Sequence, residues 1–258
     1  MLKMDKTIKD LVKRGSQTAK GGFRNEKDVI DRFNNWKKDK TAQKWLEAMN
    51  YDLKNIEYVK ASKVRGQYKA DIQVRVQITI KLKSQTDLQN LQVKLVSNPQ
   101  GFNQIDKRWI SKYVDLWDIP TDITKILKLF TGEIKPKKKG LQDLRRMLFT
   151  EMSEEDQNKI VKFFTYNKIL IVSDLLKGRG EFSADWTLVI VKVNGESRWI
   201  LKSINEVMNI FGSGDVRITP QGSLKIGKIG MQRKGGDAGR DTAKMLQFKI
   251  NPIELFND

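Results

Sequence analysis

The stretch ADIQVRVQITIKL at residues 70–82, followed by LQVKLVS at 91–97, decides the fold. Apolar and polar residues alternate in both stretches, which is the two-residue period of a β-strand with one buried face. In the first stretch the buried face carries Ile72, Val74, Val76, Ile78 and Ile80. In the second, Leu91, Val93 and Leu95 are predicted to point inward and Gln92, Lys94 and Val96 to lie opposite. The alternation predicts two neighbouring strands.

Segments with helical spacing surround these strands. Asn25–Trp36 is predicted as a helix capped by Asn25, with Val29, Phe33 and Trp36 on one side. Further helices are predicted at 45–49, 107–117, 122–130, 160–166 after a cap formed by Ser153 with Asp156, and 204–211, ended by Gly212. Strands are predicted at 169–172, 187–193 and 245–250, and 222–239 reads as a glycine-punctuated basic segment. The pattern predicts an α/β fold in which helices flank a mixed central sheet.

Composition indicates a folded protein that binds a polyanion. The 258 residues are 39% apolar and include six Trp and eleven Phe, which is enough for a substantial core. No apolar run reaches the roughly 20 residues that cross a bilayer, and the N-terminal segment lacks the apolar stretch of a secretion signal. The absence of Cys fits a reducing cytoplasm. Lys plus Arg is 49 and Asp plus Glu is 31, so the net charge is 49 − 31 = +18, which favours a nucleic acid over a membrane surface or a ribosome-associated role.

The absence of both His and Cys restricts the chemistry. A zinc finger, a Ser-His-Asp triad, a Cys-His pair and a nuclease that depends on His are all excluded. Any hydrolysis must therefore use carboxylates, amides, Lys and a hard cation such as Mg²⁺.

One group of residues has the chemistry needed to hydrolyse a phosphodiester. Asp71 begins the first strand, and Gln92 and Lys94 share a face of the second, so neighbouring strands would bring them together. Asp71, the side-chain oxygen of Gln92 and the backbone carbonyl of Val93 are candidate Mg²⁺ ligands. Lys94 could orient the attacking water or stabilise the charged transition state, and Glu26 could add a carboxylate. The alternative is an ordinary half-exposed strand, whose polar face has no function.

Asp71 with Gln92-Val93-Lys94 resembles the PD-(D/E)xK nuclease motif, although Ala70 replaces its Pro and Gln92 its acid. The chain more closely resembles the HinPI-type restriction endonucleases through four segments. These are GGFRNEKDVIDRFNNWK (21–37), LQVKLVSNPQGFNQIDKRW (91–109), GEFSADWTLV (180–189) and QRKGGDAGRDTAKMLQFKINP (232–252). Enzymes of that family accept a Gln-x-Lys motif and cut duplex DNA at GCGC after the first G, leaving a two-base 5′ overhang.

Two segments are predicted to contact DNA in the light of this resemblance. In the segment around Phe102, an exposed Phe102 side chain could insert between base steps, next to residues that read or bind DNA. Alternatively, Phe102 could belong to the core under a loop. The second surrounds a Gly-Gly turn that allows close approach to guanine, or alternatively binds only phosphate. The candidates are Phe102, Asn103, Gln104, Lys107, Gln232, Arg233, Lys234, Gly235, Gly236 and Arg240.

The resemblance implies a bacterial cytoplasmic type II restriction endonuclease with a restriction-endonuclease-like fold and Mg²⁺ as cofactor. It implies one domain, 1–258, with sub-lobes 1–134 for catalysis and 141–258 for DNA recognition on either side of the basic loop KPKKKG (135–140). The partners would be double-stranded DNA and, functionally, a cognate DNA methyltransferase, with no membrane. The enzyme would act as a monomer or homodimer. The alternatives are a nuclease of other specificity and a non-enzymatic basic nucleic-acid-binding protein.

Overall fold

The structure, a computed structural model, describes residues 22–66, 68–80, 83–98, 100–138, 141–193, 195–233 and 241–257, with side chains except at 75–80 and 83–85. The helices are α1 22–34, α2 Lys40–Ala48, α3 Ile110–Trp117, α4 Thr121–Thr131, α5 Glu154–Tyr166, α6 Lys168–Leu176 and α7 Ile204–Gly212. The strands are β1 Ile56–Lys63, β2 Ile72–Ile80, β3 Lys83–Val96, β4 Asn103–Arg108, β5 Trp186–Val193, β6 Glu196–Ser203, β7 Val216–Ile218, β8 Leu224–Ile226, β9 Ile229–Arg233 and β10 Leu246–Ile250.

The chain forms two compact units that interleave along the sequence. The first comprises the described parts of Met1–Gly101, Leu176–Met208 and Asn251–Asp258, and the second those of Phe102–Leu175 and Asn209–Ile250. The basic residues Lys135–Lys138 lie inside the second unit and not at a crossing point. The description of the chain as one domain with sub-lobes 1–134 and 141–258 stays a prediction.

The first unit is built on a mixed sheet with the strand order β1-β2-β3-β5-β6. β3 and β5 run parallel, with Leu91 opposite Trp186, and the other neighbouring pairs are antiparallel. This arrangement confirms the predicted mixed sheet of an α/β fold, and it confirms that the two opening stretches form neighbouring strands.

One face of the first sheet packs against α1 and α2. The buried residues on that face include Ile72, Val74, Leu91, Val93 and Leu188, which meet Val29, Phe33, Trp36, Trp45 and Leu46 from the helical side. Burial therefore follows the predicted alternation. The opposite face is also largely buried, because Gln92 is only 3% exposed and Val96 only 2%.

The second unit is built on an antiparallel sheet with the order β4-β10-β9-β8-β7. Aromatic side chains pack on one face of it. Tyr113 and Trp117 of α3 stack with ring centroids 4.6 Å apart, and both contact the ring of Phe248 in β10. Two buried acids anchor these rings, since Tyr113 donates to Asp106 at 2.6 Å and the Trp117 indole donates to Asp174 at 2.9 Å.

Several predicted elements are confirmed. Helix α4 covers the predicted 122–130, and α5 begins after Ser153, whose hydroxyl accepts from the Asp156 N–H at 3.1 Å as expected for the cap. Helix α7 ends at Gly212, and β10 covers most of the predicted last strand. Within the described ranges, no helix has the length and apolar content that a membrane span requires.

One predicted element has the wrong type, and the predicted helix 107–117 is confirmed over 110–117 but begins too early. The segment 169–172 is helical, as part of α6, because the buried Ile171, Val172 and Leu175 follow a helical period while Ile169 is 87% exposed. Lys107 and Arg108 belong to β4 rather than to a helix, which begins only at Ile110. The region 222–239, taken as a glycine-punctuated segment, contains β8 and β9, because short strands in a small antiparallel sheet tolerate Gly at turns.

Asn25 is not the cap of α1. The helix already includes residues 22–24, so Asn25 lies within its first turns. Its side chain is buried at 3% exposure, and both amide atoms lack a hydrogen-bond partner among the described residues. The aromatic ring of Phe23 packs under the Lys63 ammonium at 4.3 Å, which helps to hold the turn upstream of Asn25.

Candidate active site

Asp71 lies directly before β2, where the pairing between β2 and β3 ends. Ile72 is opposite Leu91, so the register places Asp71 beside Gln92. The Asp71 N–H donates to the Leu91 carbonyl at 3.0 Å, and the Asp71 Oδ2 accepts from the Val93 N–H at 2.8 Å. The Asp71 carboxylate thus accepts a hydrogen bond from β3 that a backbone carbonyl of a longer β2 would accept. Its Oδ1 has no hydrogen bond within the described part of the chain.

The backbone carbonyl of Val93 points toward Asp71. In a strand, the N–H and C=O of one residue project to the same edge. Because the Val93 N–H is bonded to Asp71, the Val93 carbonyl lies on the same edge of β3. The neighbouring residue Asn90 bonds instead to Asp185 on the β5 side, as the alternation requires. The Asp71 carboxylate and the Val93 carbonyl therefore lie along the same edge of β3.

Gln92 is a buried amide between two strands. Its Nε2 donates to the Lys69 carbonyl at 3.4 Å, a long hydrogen bond that holds the amide loosely. On its other side, Gln92 is in register with Thr187 of β5, so the two side chains are neighbours on one face. Thr187 is 1% exposed and its hydroxyl has no partner among the described residues.

Lys94 lies two residues beyond Gln92 on the same face of β3. Its side chain is partly exposed, and among the described residues it forms no hydrogen bond or ion pair. Lys94 is therefore a partly exposed cation without a carboxylate partner among the described residues.

Glu26 forms an ion pair with Lys63. Its Oε2 accepts from the Lys63 ammonium of β1 at 2.6 Å. Lys63 is opposite Ile72, so it projects to the face that packs on the helices, whereas Gln92 and Lys94 project to the other face. A role for Glu26 at the metal stays a prediction.

The residues present fit a hard divalent cation. The described part of the chain contains no group of three or more Asp, Glu, His or Cys residues placed to share a metal. The candidate donors on this edge are the carboxylate of Asp71 and the Val93 carbonyl, and Gln92 is the residue next to Val93. All are oxygen donors, the class that Mg²⁺ and Ca²⁺ prefer, and a single charged ligand suits a cation that also binds phosphate and water.

A loop between α6 and β5 supports the site and was missed at the level of sequence. The ring of Phe182 packs on Tyr68 with centroids 4.8 Å apart, and the Phe182 carbonyl accepts from the Ala70 N–H at 3.3 Å. Asn90, buried on the same face as Gln92, donates to the Glu181 carbonyl at 2.7 Å. The available signal was the segment GEFSADWTLV, which carries this loop together with Thr187.

Those predicted DNA-contacting residues that the structure describes belong to the second unit and fall on different sides of its sheet. Phe102 is 50% exposed before β4, which contradicts the core alternative. The pairings Gln247–Lys107 and Gln247–Gln232 place Lys107 and Gln232 in one row across three strands, and Lys249 pairs with Gln104 on the same face.

Arg233 lies on the other face from Gln232. It follows the buried Ile229 and Met231 in the alternation of β9, and its guanidinium lies 5.9 Å from the centroid of the Phe130 ring. Burial lowers the pKa of Arg233, and the nearby charge of Arg146 lowers it further. Asn103 pairs with the buried Ile250, also away from Gln104. Lys234, Gly235, Gly236 and Arg240 lie outside the described residues.

Comparison with known proteins identifies a family and a solved structure of similar fold. The family model described as R.HinP1I restriction endonuclease matches residues 49–256. Among solved structures, the restriction endonuclease MspI in complex with its cognate DNA has a similar fold, with a TM-score of 0.62, 16% identity and 87% of each chain covered. A comparison with curated protein sequences found no match. Because the family model spans most of the chain and includes Asp71, Gln92 and Lys94, the chain belongs to the R.HinP1I restriction endonuclease family and is a type II site-specific endonuclease of DNA.

Proposed function

We propose that this endonuclease hydrolyses duplex DNA at the palindrome GCGC, after the first G, with Mg²⁺ as cofactor and Asp71, Gln92 and Lys94 as catalytic residues. The observation that carries the proposal is the Asp71 carboxylate bonded to the Val93 N–H, between the two other members of the group. The resemblance of four segments to GCGC-cutting enzymes supplies the recognition sequence.

The side chains have distinct roles in this proposal. Asp71, Gln92 and the Val93 carbonyl would hold the Mg²⁺ ion, with Glu26 as an additional carboxylate. When bound, the ion activates water for attack on the phosphodiester and neutralises charge on the phosphate. The hydrogen bond from Val93 fixes the Asp71 carboxylate in place before the substrate arrives. The Lys94 ammonium contacts the scissile phosphate and stabilises the negative charge that grows on its oxygens.

DNA recognition is assigned to the residues of the second unit. Phe102 would insert beside a base step, and amide and basic side chains would read or bind the duplex. The set comprises Phe102, Asn103, Gln104, Lys107, Gln232, Arg233, Lys234, Gly235, Gly236 and Arg240. A cognate DNA methyltransferase would protect the host's own sites in the bacterial cytoplasm, and the endonuclease would act as a monomer or a homodimer.

Digestion of one sequenced plasmid in the presence of Mg²⁺ tests the activity and the recognition sequence together. We expect discrete fragments whose ends map to GCGC, and run-off sequencing of both strands should place each cut after the first G. A smear would indicate a nonspecific nuclease, intact DNA with a shifted band a binding protein, and fragments at another sequence a different specificity. Omission of Mg²⁺ is the control.

Methylated DNA tests how the site is read. A methyl group on cytosine projects into the major groove, where close packing by the recognition residues leaves it no room. We expect GCGC sites methylated on cytosine to resist cleavage on a plasmid that is otherwise identical. Equal cutting of methylated and unmethylated sites would contradict reading through the major groove.

A further inference from the structure

The outward face of the second sheet has an unusual set of side chains. It carries four cations, Lys107, Arg217, Lys225 and Lys249, and two accessible glutamines, Gln104 and Gln232, whereas Gln247 on the same side is only 6% exposed. Their common orientation follows from the register, because residues opposite one another on neighbouring strands project to the same side. The alternate positions on these strands, such as Leu224, Met231 and Phe248, are buried. We call the four cations together with Gln104 and Gln232 the outer face.

The outer face contains a basic row that crosses all five strands. Arg217 of β7 is opposite Lys225 of β8, Lys225 is opposite Gly230 of β9, and Gly230 is opposite Lys249 of β10. Lys249 is in turn opposite Gln104 of β4. With strands about 4.8 Å apart, the three cations are spread over roughly 15 Å. Gly230 leaves a gap between the two lysines, since it has no side chain.

These cations lack the partners that other cations of the second unit have. Within the described residues, the side chains of Arg217, Lys225 and Lys249 form no hydrogen bond or ion pair. Elsewhere in the unit, Arg145 and Arg146 pair with Asp143, and Lys159 pairs with Glu155. No described residue of the outer face is acidic.

An ordinary solvated face would have mixed charge. The chain contains 31 acidic residues for 49 basic ones, so a face with four cations and no acid departs from its average. Like charges placed on neighbouring strands repel each other and destabilise the sheet, unless a polyanion neutralises them. The glutamines among them can donate to phosphate or to base edges.

We propose that the outer face binds duplex DNA and that Arg217, Lys225 and Lys249 contact its phosphates. This inference rests on the proposed function, because it extends the DNA surface from the predicted Gln104, Lys107 and Gln232 to the far edge of the same sheet. The cations fix the position of the duplex, and the glutamine row that includes Gln232 lies beside them.

The test measures DNA binding without cleavage. A fluorescent duplex with one GCGC site is titrated with the wild-type enzyme and with Lys225→Gln, Lys249→Gln and the double variant, at several salt concentrations and without divalent metal. The matched control is Lys44→Gln with Lys162→Gln, which removes the same charge from exposed lysines on α2 and α5. Thermal melting checks that each variant is folded, and Arg217→Gln provides an independent variant at the sheet edge.

We expect the double variant to bind at least about tenfold more weakly in 100 mM salt, with a salt slope smaller by about one for each lysine. The control pair should stay within about twofold of wild type, since a lysine that contacts no phosphate contributes little. The inference is overturned if the two double variants bind alike, or if the wild type prefers single-stranded RNA to this duplex. A wild-type enzyme that cuts plasmid DNA while both double variants bind alike would refute this surface alone, whereas one that neither binds nor cuts would refute the proposed function.

Discussion

In the proposed active site, Asp71 combines a structural and a chemical task in one carboxylate. Its Oδ2 accepts the hydrogen bond of the Val93 N–H at 2.8 Å. No backbone carbonyl of β2 is available as the acceptor, because the pairing of β2 with β3 ends at Ile72. The second oxygen remains for a cation. The proposed site therefore forms where the pairing of β2 ends and the Asp71 carboxylate continues it. Substitutions at Asp71 can separate the structural task from the chemical one.

Asp71→Asn keeps an oxygen that can accept from Val93 but loses the charge. We expect cleavage to fall by roughly 10²–10³-fold or more, with unchanged melting temperature and DNA binding. Asp71→Ala should lose cleavage as well and also about 1 kcal/mol of stability, because the Val93 N–H loses its partner. Single-turnover cleavage and thermal melting give the two readouts, and full cleavage by either variant would refute the assignment.

Lys94→Ala is expected to abolish cutting while leaving DNA affinity largely intact, because one ammonium at the scissile phosphate contributes little to a large basic footprint. The matched control is Lys60→Ala, an exposed lysine on β1. Cleavage assays measure cutting, and band shifts on the same duplex measure DNA affinity. Normal cutting by Lys94→Ala would show that the lysine is an ordinary surface residue.

The chemistry of Gln92 can be tested through pH. Gln92→Glu introduces a carboxyl at a position that is 3% exposed and next to Asp71, and both burial and the neighbouring charge raise a carboxyl pKa. The introduced group is neutral below its raised pKa and charged above it. Cleavage by Gln92→Glu should therefore increase with pH more steeply than cleavage by the wild type. Gln92→Ala should be inactive at every pH, and a flat profile for Gln92→Glu would contradict the burial argument.

At the scale of elements, we propose that the loop between α6 and β5 positions the candidate active site through Gly178. Its φ is +78°, and a Cβ there would lie 2.4 Å from Cγ of Lys69. Lys69 provides the carbonyl that holds the Gln92 amide. Gly180 has nearly the same φ, +79°, but a Cβ there would meet nothing within 4 Å. The two glycines form a natural pair for comparison.

Both Gly178→Ala and Gly180→Ala should lose about 1–2 kcal/mol of stability, the cost of a left-handed backbone for a residue with a Cβ. Only Gly178→Ala should also slow cleavage, by about tenfold or more, because it displaces the segment next to Asp71 and Gln92. Melting curves and single-turnover rates separate the effects. Equal rates for the two variants would show that this loop does not position the site.

The strand that follows Asp71 and the strand that carries Gln92 and Lys94 could be predicted, because strict alternation of apolar and polar residues indicates a strand directly. The type of α6 could not, since a four-residue apolar run fits either a strand or a helix until its buried partners are known. The sequence also did not show that Gln232 and Arg233 project to opposite faces of the sheet. The composition of IGMQR suggests a loop, and only its place in the sheet shows that neighbours along β9 project to opposite faces. The position of Thr187 next to Gln92 could not be predicted, because it depends on the parallel pairing of two strands that are far apart in the sequence.

At the scale of the whole molecule, a net charge of +18 should dominate the encounter with DNA. If six to ten phosphates are contacted, affinity should fall by roughly 10³–10⁵ between 50 and 200 mM salt. Anisotropy titrations without divalent metal measure this dependence, and circular dichroism over the same range verifies an unchanged fold. A shallow dependence would mean that the charge serves solubility and not binding.

The interleaving of the two units constrains how specificity can change. The chain passes between them after residues 101, 175, 208 and 250, so neither unit corresponds to a continuous piece of the gene. No single recombination event can exchange the unit that carries the outer face while retaining the one that carries Asp71. New recognition sequences in this lineage are therefore expected to arise through point substitutions and small loop insertions in place, and not by the shuffling of intact modules.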